Sequence, residues 1–383
     1  MNKLLIKLYA YKFFEDFVLI YPLYAVMFTD HGMAPWQVGT LLTAWSVTAF
    51  LLEIPSGVWA DKYSRKHLLF FGQTVRALGY LCWAVFPGFW GFLIGFVGWG
   101  IESATSSGTF QALVFDELKH LGRETEFTRV IGRCRSISFI AILIASVLAS
   151  PAVWLGYTTI IILSAAAVFI AGVIILSLPV ARRAESTRET DYFAILRTGI
   201  REVRNSASLW PLLLFLALAT ALPGALDEYW TIFADRAGLP NYGLGLFIGL
   251  LSGAEAAGSF WAHRLEHFSN RSFYLVFILN GLVLAVAAWW FEVPALILLV
   301  VFSLTFTMVQ IVFEGRLQHA IASDSRATVS SVSGFITEIG ALAVFFSFGW
   351  LAQFGTYRMG FFIFGGIITV VGLVYWVGSL QRK

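Results

Sequence analysis

Eight carboxylic acids stand inside long apolar stretches of this sequence: Glu15, Asp16, Glu53, Glu102, Asp227, Glu228, Glu255 and Glu338. Bases are scarcer there: Arg76 and, nearer the end of its stretch, Arg135. An ionisable side chain in hydrocarbon costs at least about 2.5–3.5 kcal/mol on insertion scales. Each therefore asks for an ionic partner, a wet cavity or a proton. A carboxyl group left unpaired in a poorly solvated cavity can carry a proton near neutral pH, which is the chemistry of ion-coupled transport. Hydrolytic or phosphoryl chemistry has no such footing. The string His263-Arg-Leu-Glu266-His267 matches a zinc-peptidase pattern. It falls in a short basic loop without a third ligand, so no metal site is expected. There is no P-loop, no Gly-x-Ser-x-Gly and no cysteine cluster, and Cys82 and Cys134 imply no disulfide framework. No enzyme activity or cofactor is expected.

These acids must be positioned by membrane-spanning helices. The chain is 58% hydrophobic and only 13% charged, with a mean hydropathy of +0.77. A soluble domain carries roughly a quarter charged residues. About 20 apolar residues cross roughly 30 Å of hydrocarbon. That ruler predicts twelve spans, at 10–29, 36–60, 67–86, 90–115, 130–150, 157–178, 209–234, 241–262, 272–292, 294–316, 327–352 and 359–379. Strands are excluded, because an open sheet edge does not survive in lipid. The first span ends in Thr29-Asp30-His31, which is no cleavage site, so it is read as retained. The joins alternate between nearly uncharged and basic. Apart from Arg236, Arg358 and the mid-span Arg76, the lysines and arginines fall on one side, read as cytoplasmic. Both termini lie on that side, in the cell membrane. The net charge of +3 is small and points to no nucleic-acid partner. The polar stretch 180–208, with an amphipathic piece around Tyr192 to Val203, divides the chain into an N-terminal six-helix bundle (1–179), a cytoplasmic linker (180–208) and a C-terminal six-helix bundle (209–383).

Depth then sorts the charges. Glu53 lies about 12 Å inward of Asp61, and Arg76 about 13–14 Å inward of His67, at 1.5 Å per residue. Spans 2 and 3 are antiparallel neighbours, so a structural Glu53–Arg76 pair is expected, and Asp16 and Arg135 could pair likewise. Glu102, Glu255 and Glu338 are left near mid-membrane without a matching base. Either they carry protons or they bond to hydroxyls and backbone on neighbouring helices, as Ser103 to Thr109 could serve Glu102. A cationic or neutral solute is favoured over an anion.

The halves echo each other. Trp59-Ala60 and Trp261-Ala262 each close the second span of a half before a basic loop. The loop Gly57-x-x-x-Asp61-Lys62-x-Ser64-Arg65-Lys66 resembles the signature of the major facilitator superfamily, Gly-x-x-x-Asp-basic-x-Gly-Arg-basic, with Ser64 in place of the usual glycine. The resemblance implies an all-α integral membrane protein of 12 transmembrane helices in two six-helix bundles. Gly57 would allow close helix approach, and Asp61 would accept from backbone N–H groups at a helix start. Arg65 and Lys66 would bridge to acids on the cytoplasmic face, Asp116 or Glu117 being nearest by depth. The group Gly57, Asp61, Arg65, Lys66 and Asp116 is thereby implied to be a conformational gate.

In the superfamily, spans 1, 2, 4, 5, 7, 8, 10 and 11 line the central cavity. The resemblance so places Asp16, Glu102, Asp227, Glu228, Glu255 and Glu338 as coupling or substrate residues. It also offers Trp45, Trp99 and Trp230 for stacking a flat or cationic solute. Asp227-Glu228-Tyr229-Trp230 would form an outer gate or recognition patch after a kink at Pro223-Gly224. Span 4 lacks the arginine motif, and span 5 the Gly-Pro-x-x-Gly-Gly run, of the superfamily's drug–proton antiporters, which weakens a drug-exporter reading. The function expected is secondary transport of a small organic solute by alternating access, proton-coupled and leaning to efflux, by a monomer in the lipid bilayer. Uptake of a metabolite or vitamin-like solute is the alternative within transport. A non-transporting sensor or scaffold is the alternative outside it, and the cost of mid-membrane acids argues against that.

Overall fold

Within hydrocarbon every backbone N–H and C=O must find a partner inside the chain, and for one polypeptide of this apolarity helices satisfy that demand. The computed structural model describes residues 2–178, 209–320 and 326–381, so the expected linker at 180–208 lies outside the described residues. The elements there are helical: α1 (Asn2–Asp16), α2 (Tyr24–Asp30), α3 (Pro35–Lys62), α4 (Arg65–Val85), α5 (Phe89–Ser106), α6 (Thr109–His120), α7 (Phe127–Ala152), α8 (Tyr157–Leu176), α9 (Leu209–Leu226), α10 (Trp230–Arg236), α11 (Asn241–Ala262), α12 (Asn270–Trp290), α13 (Leu296–Ala320), α14 (Arg326–Phe354) and α15 (Tyr357–Gln381). Nine helical stretches among the described residues are long and apolar enough to cross a membrane. The α1–α2 pair, α3 and the α5–α6 pair complete twelve spans. Trp90, Trp154 and Trp289 stand exposed at the ends of spans facing the weakly charged joins, the position of an interfacial aromatic belt.

Among the described residues three spans are broken, and each break has a local cause. Between α1 and α2, Pro22 has no N–H to continue the ladder, and the chain closes tight turns such as Leu23 N to Ile20 O at 2.9 Å. Between α5 and α6, Gly108 takes φ +68°, which ends one helix and starts the next. Between α9 and α10, a 3₁₀ turn at Asp227–Tyr229 interrupts the span. The sequence places that break at Pro223-Gly224. Instead α9 runs through Pro223 and unwinds one turn later, putting the irregular backbone at the acids themselves.

The contacts divide the chain into two compact units. Unit 1 comprises Met1–Met33, Leu41–Arg188 and Asn241–Leu246; unit 2 comprises Ala34–Thr40, Glu189–Pro240 and Phe247–Lys383. Each unit thus includes a short helix start from the other half of the sequence. In unit 1, α4 packs on α5 and α8, and α1 on α7 and α8. In unit 2, α12 packs on α15 and α13, and α9 on α13 and α14. The unit 1 core holds an aromatic cluster of Tyr24, Phe28, Tyr80, Trp83, Phe92 and Phe96, with Trp83 and Tyr80 fully buried. The unit 2 core is built around Phe215, Phe233, Phe313, Phe348 and Phe361.

Close approach of α4 and α5 depends on glycine. A Cβ at Gly79 would lie 3.0 Å from Gly95 Cα, one at Gly95 would enter the Trp83 indole, and one at Gly72 would meet Thr105 Oγ1. This contact brings the α4 side chains Gln73 and Arg76 against Glu102 on α5. Gly57, by contrast, has open space where a Cβ would be, so the close approach expected there is absent. Gly95→Leu is therefore expected to cost about 1–3 kcal/mol by overpacking, while Gly57→Ala changes stability by about 1 kcal/mol or less, in the stabilising direction. Thermal unfolding in detergent checks both.

Candidate functional site

The polar side chains that α1, α4 and α5 turn inward in unit 1 converge on one network. On α1, Lys12, Glu15 and Asp16 are spaced to interact along one helix face. Lys12 pairs with Glu15, and its Nζ lies 3.7 Å from Asp16. On α4, Gln73 and Arg76 share a face at a spacing of three. On α5, Glu102 meets them across the glycine contact. Arg76 Nη1 lies 3.6 Å from Glu102 Oε2 and donates to the Glu15 carbonyl oxygen at 3.2 Å; its Nε donates to Tyr80 Oη at 3.0 Å. The guanidinium carbon sits 4.6 Å from the centre of the Trp99 ring, a cation–π distance.

Gln73 joins the acids. Its Nε2 is 3.0 Å from Glu15 Oε1, 3.1 Å from Glu102 Oε1 and 3.1 Å from Tyr11 Oη. Tyr11 Oη donates to Glu15 Oε1 at 2.7 Å, and Ser106 Oγ to Glu102 Oε1 at 2.6 Å. An amide nitrogen has two N–H groups, so it cannot serve all three acceptors at once. Gln73 Oε1 is buried with no hydrogen-bond partner among the described residues. Two carboxylates thus share one neutral donor. Beside them is a cavity of about 340 Å³, lined by Lys12, Glu15, Asp16, Arg76, Glu102, Ser103, the rings of Tyr21 and Trp99, Val18 and Ile142. Three carboxyl groups face it against two cations. Trp45 stands behind Trp99, with ring centres 6.0 Å apart and its Nε1 3.4 Å from Ser103 Oγ.

The expected pairings change accordingly. Arg76 finds its carboxylate on α5, so Glu102 has the base it was expected to lack; Glu53 is exposed on α3. The reason is packing: Glu102 is buried where α5 lies against α4, whereas Glu53 stands exposed on α3. Asp16 lies by Lys12 and Arg135 is exposed. Glu15, Lys12, Tyr11, Gln73 and Tyr80 were not singled out as site residues. The clue available was the Lys12-x-x-Glu15-Asp16 and Gln73-x-x-Arg76 spacing.

In unit 2, Asp227 is solvent-accessible on its 3₁₀ turn, Glu228 and Glu255 are half-buried, and Asp227 feels the charges of both. No cation among the described residues pairs with Asp227 or Glu255. Glu338 is half-buried on α14. Tyr229 is buried and donates to the Phe345 carbonyl at 3.2 Å. Trp230 is only 2% exposed and stacks on Phe361 with ring centres 5.5 Å apart. It is core, and is not available to stack a solute as expected.

At the motif loop, Arg65 Nη1 lies 2.5 Å from Asp116 Oδ2 and donates to the Ala112 carbonyl at 2.9 Å. Lys66 Nζ donates to the Leu178 carbonyl at 3.2 Å, reaching backbone where an acid was expected. The Asp61 side chain lies outside the described residues. His263, Glu266 and His267 are not gathered, and no metal-binding cluster occurs among the described residues.

The family model described as Major Facilitator Superfamily matches residues 13–345. A search of curated proteins finds no match. Among solved structures, the nucleoside transporter NupG is similar with a TM-score of 0.82 at 14% identity, over 100% of both chains. A bacterial homologue of the human lysosomal transporter Spinster, inward-facing and occupied, gives 0.77 at 13% identity, over 99% of this chain and 96% of that one. A D-xylose-proton symporter gives 0.70 at 12%, over 98% and 96%.

Proposed function

This chain belongs to the major facilitator superfamily, and from that premise we propose that it moves a small neutral or cationic organic solute by alternating access, coupled to protons. It is a multi-pass membrane transporter of a small solute and not an enzyme. The observation that carries the finer reading is the sharing of the Gln73 amide by Glu15 and Glu102 beside a cavity with Tyr21 and Trp99 in its wall. Arg76 and Lys12 leave that cavity one carboxyl group in excess, and a proton or a solute cation balances it. An anionic solute would find both cations already engaged. The solved structures named for a nucleoside transporter and a sugar–proton symporter support a small polar solute of this kind.

Export is the direction proposed. Moving one cation out against an inside-negative potential costs about 2.3 kcal/mol per 100 mV, so a cation exporter needs a second downhill ion, and proton entry at an acid-rich site provides it. Residues 180–208 are proposed to divide two six-helix bundles, and the monomer to lie in the cell membrane with both termini cytoplasmic. The Arg65–Asp116 contact supports a role for Gly57, Asp61, Arg65, Lys66 and Asp116 in holding one conformation. Asp227, Glu228, Glu255 and Glu338 are proposed as a second place where a proton or cation rests.

The test is flux in reconstituted vesicles. A pH gradient of one unit is worth 1.36 kcal/mol per proton, so one-for-one coupling sustains a solute gradient of about tenfold. Accumulation that follows the imposed gradient and collapses with a protonophore is the expected result. Equal flux at any gradient would remove the coupling, and no flux over a broad panel of neutral and cationic solutes would remove the solute class.

A further inference from the structure

Arg271, the second residue of α12, is set apart from the arginines of the ion pairs. Arg65, Arg76, Arg123 and Arg236 each face a carboxylate. Among the described residues Arg271 has none, and its hydrogen bond runs from Nη2 to the Ser379 carbonyl at 2.7 Å. It is half-buried at one end of a groove of about 930 Å³ between α9, α12 and α15. Trp210 and Ser379 mark the same level, being the start of α9 and the end of α15. From there the groove runs inward past Leu214 and Leu218 on α9 and Val374 and Val370 on α15. Eight residues of α9 separate Trp210 from Leu218, about 12 Å of rise. One end therefore holds a cation with no carboxylate partner among the described residues and an interfacial tryptophan, and the rest is apolar and points into the membrane.

That polarity matches an amphiphile with a negative head. We propose that this groove binds an anionic phospholipid of the leaflet on the basic side of the protein, its phosphate on Arg271 and an acyl chain along Leu214, Leu218 and Val374. Basic pockets between transmembrane helices on this face suit anionic head groups. The Ser379 carbonyl takes one N–H of Nη2 and holds the guanidinium in place, which leaves the second Nη2 N–H and its neighbour Nη1 or Nε to form a paired contact with phosphate oxygens. A zwitterionic lipid would gain the apolar contacts but leave the cation without a matching net charge, and free phosphate would forgo the apolar body. The site is separate from the cavity in unit 1 and does not depend on the solute reading.

Native mass spectrometry of the purified full-length protein tests this, with phosphatidylglycerol, phosphatidylcholine and inorganic phosphate as probes. The parent should retain phosphatidylglycerol in preference to phosphatidylcholine and should hold no phosphate. Arg271→Gln should weaken phosphatidylglycerol binding about tenfold, as loss of a charge-assisted contact would. Val374→Trp, which fills the groove and spares the arginine, should weaken both lipids. Arg129→Gln, at an exposed arginine elsewhere on the basic side, should change nothing. Size-exclusion profiles confirm that each variant is folded. Equal retention of the two lipids, binding of inorganic phosphate by the parent, or undiminished phosphatidylglycerol binding in folded Arg271→Gln and Val374→Trp proteins overturns the proposal.

Discussion

Arg76→Met should be among the most destabilising substitutions in the N-terminal half, with a loss of about 3–5 kcal/mol, the range for breaking a buried ion pair by removing one partner. The guanidinium supports three things at once: Glu102 Oε2 at 3.6 Å, the Tyr80 hydroxyl at 3.0 Å and the Glu15 carbonyl at 3.2 Å. Methionine fills comparable space but donates nothing, which leaves the Glu102 carboxylate buried with Gln73 and Ser106 as its donors among the described residues. The double variant Arg76→Met with Glu102→Gln removes the uncompensated charge and should recover part of the loss. Thermal unfolding followed by fluorescence-detected size exclusion measures both. A single variant as stable as the parent would show that the pair does not hold α4 to α5. Arg76→Lys should be intermediate, since an ammonium keeps the charge but cannot make the fork of contacts.

Glu15→Gln is expected to abolish accumulation driven by the pH gradient, from about tenfold at one pH unit to about onefold, while exchange of labelled for unlabelled solute persists. Glu15 is the acid for which the case is most direct. It accepts from Tyr11 and Gln73 on one oxygen and pairs with Lys12 through the other. It also lines the cavity, and it shares the Gln73 amide with a second acid already held by Arg76. Glutamine keeps the shape and ends the proton exchange. Glu102→Gln should lose exchange as well as accumulation, because it frees Arg76 within the cavity. Asp227→Asn and Glu255→Gln in unit 2 test whether a proton rests there instead. Loss of accumulation in those two with a normal Glu15→Gln would move the coupling site out of unit 1. If all four variants accumulate solute as the parent does, the coupling assignment fails.

Much of the fold is legible in the sequence. Twelve apolar spans were readable because lipid leaves a helix no option but to be long, apolar and internally bonded. The broken spans were harder. Pro223-Gly224 is the conspicuous breaker in span 7, yet the helix passes through it and unwinds at Asp227–Tyr229. A proline in lipid removes one donor and leaves the remaining ladder intact, whereas adjacent acids beside solvent-accessible space tolerate open backbone. The resemblance offers Trp230 for stacking a solute, although tryptophan more often serves packing or the membrane interface. Its stacking on Phe361 decides the matter.

Composition and charge placement alone dictate an all-helical membrane protein and which ends of its spans share a side, because both follow from the free energy of putting charge in hydrocarbon. They also give each acid a depth, since depth is counted along one helix at a constant rise. What they leave open is azimuth. Depth alone matches Glu53 to Arg76 and leaves Glu102 without a base, and only the packing of α4 on α5 through Gly72, Gly79 and Gly95 brings Glu102 against Arg76 while Glu53 stands exposed on α3. The joining of Glu15 to Glu102 through Gln73 likewise exists only once three helices are assembled, because no spacing along one chain segment encodes which face its neighbours will cover.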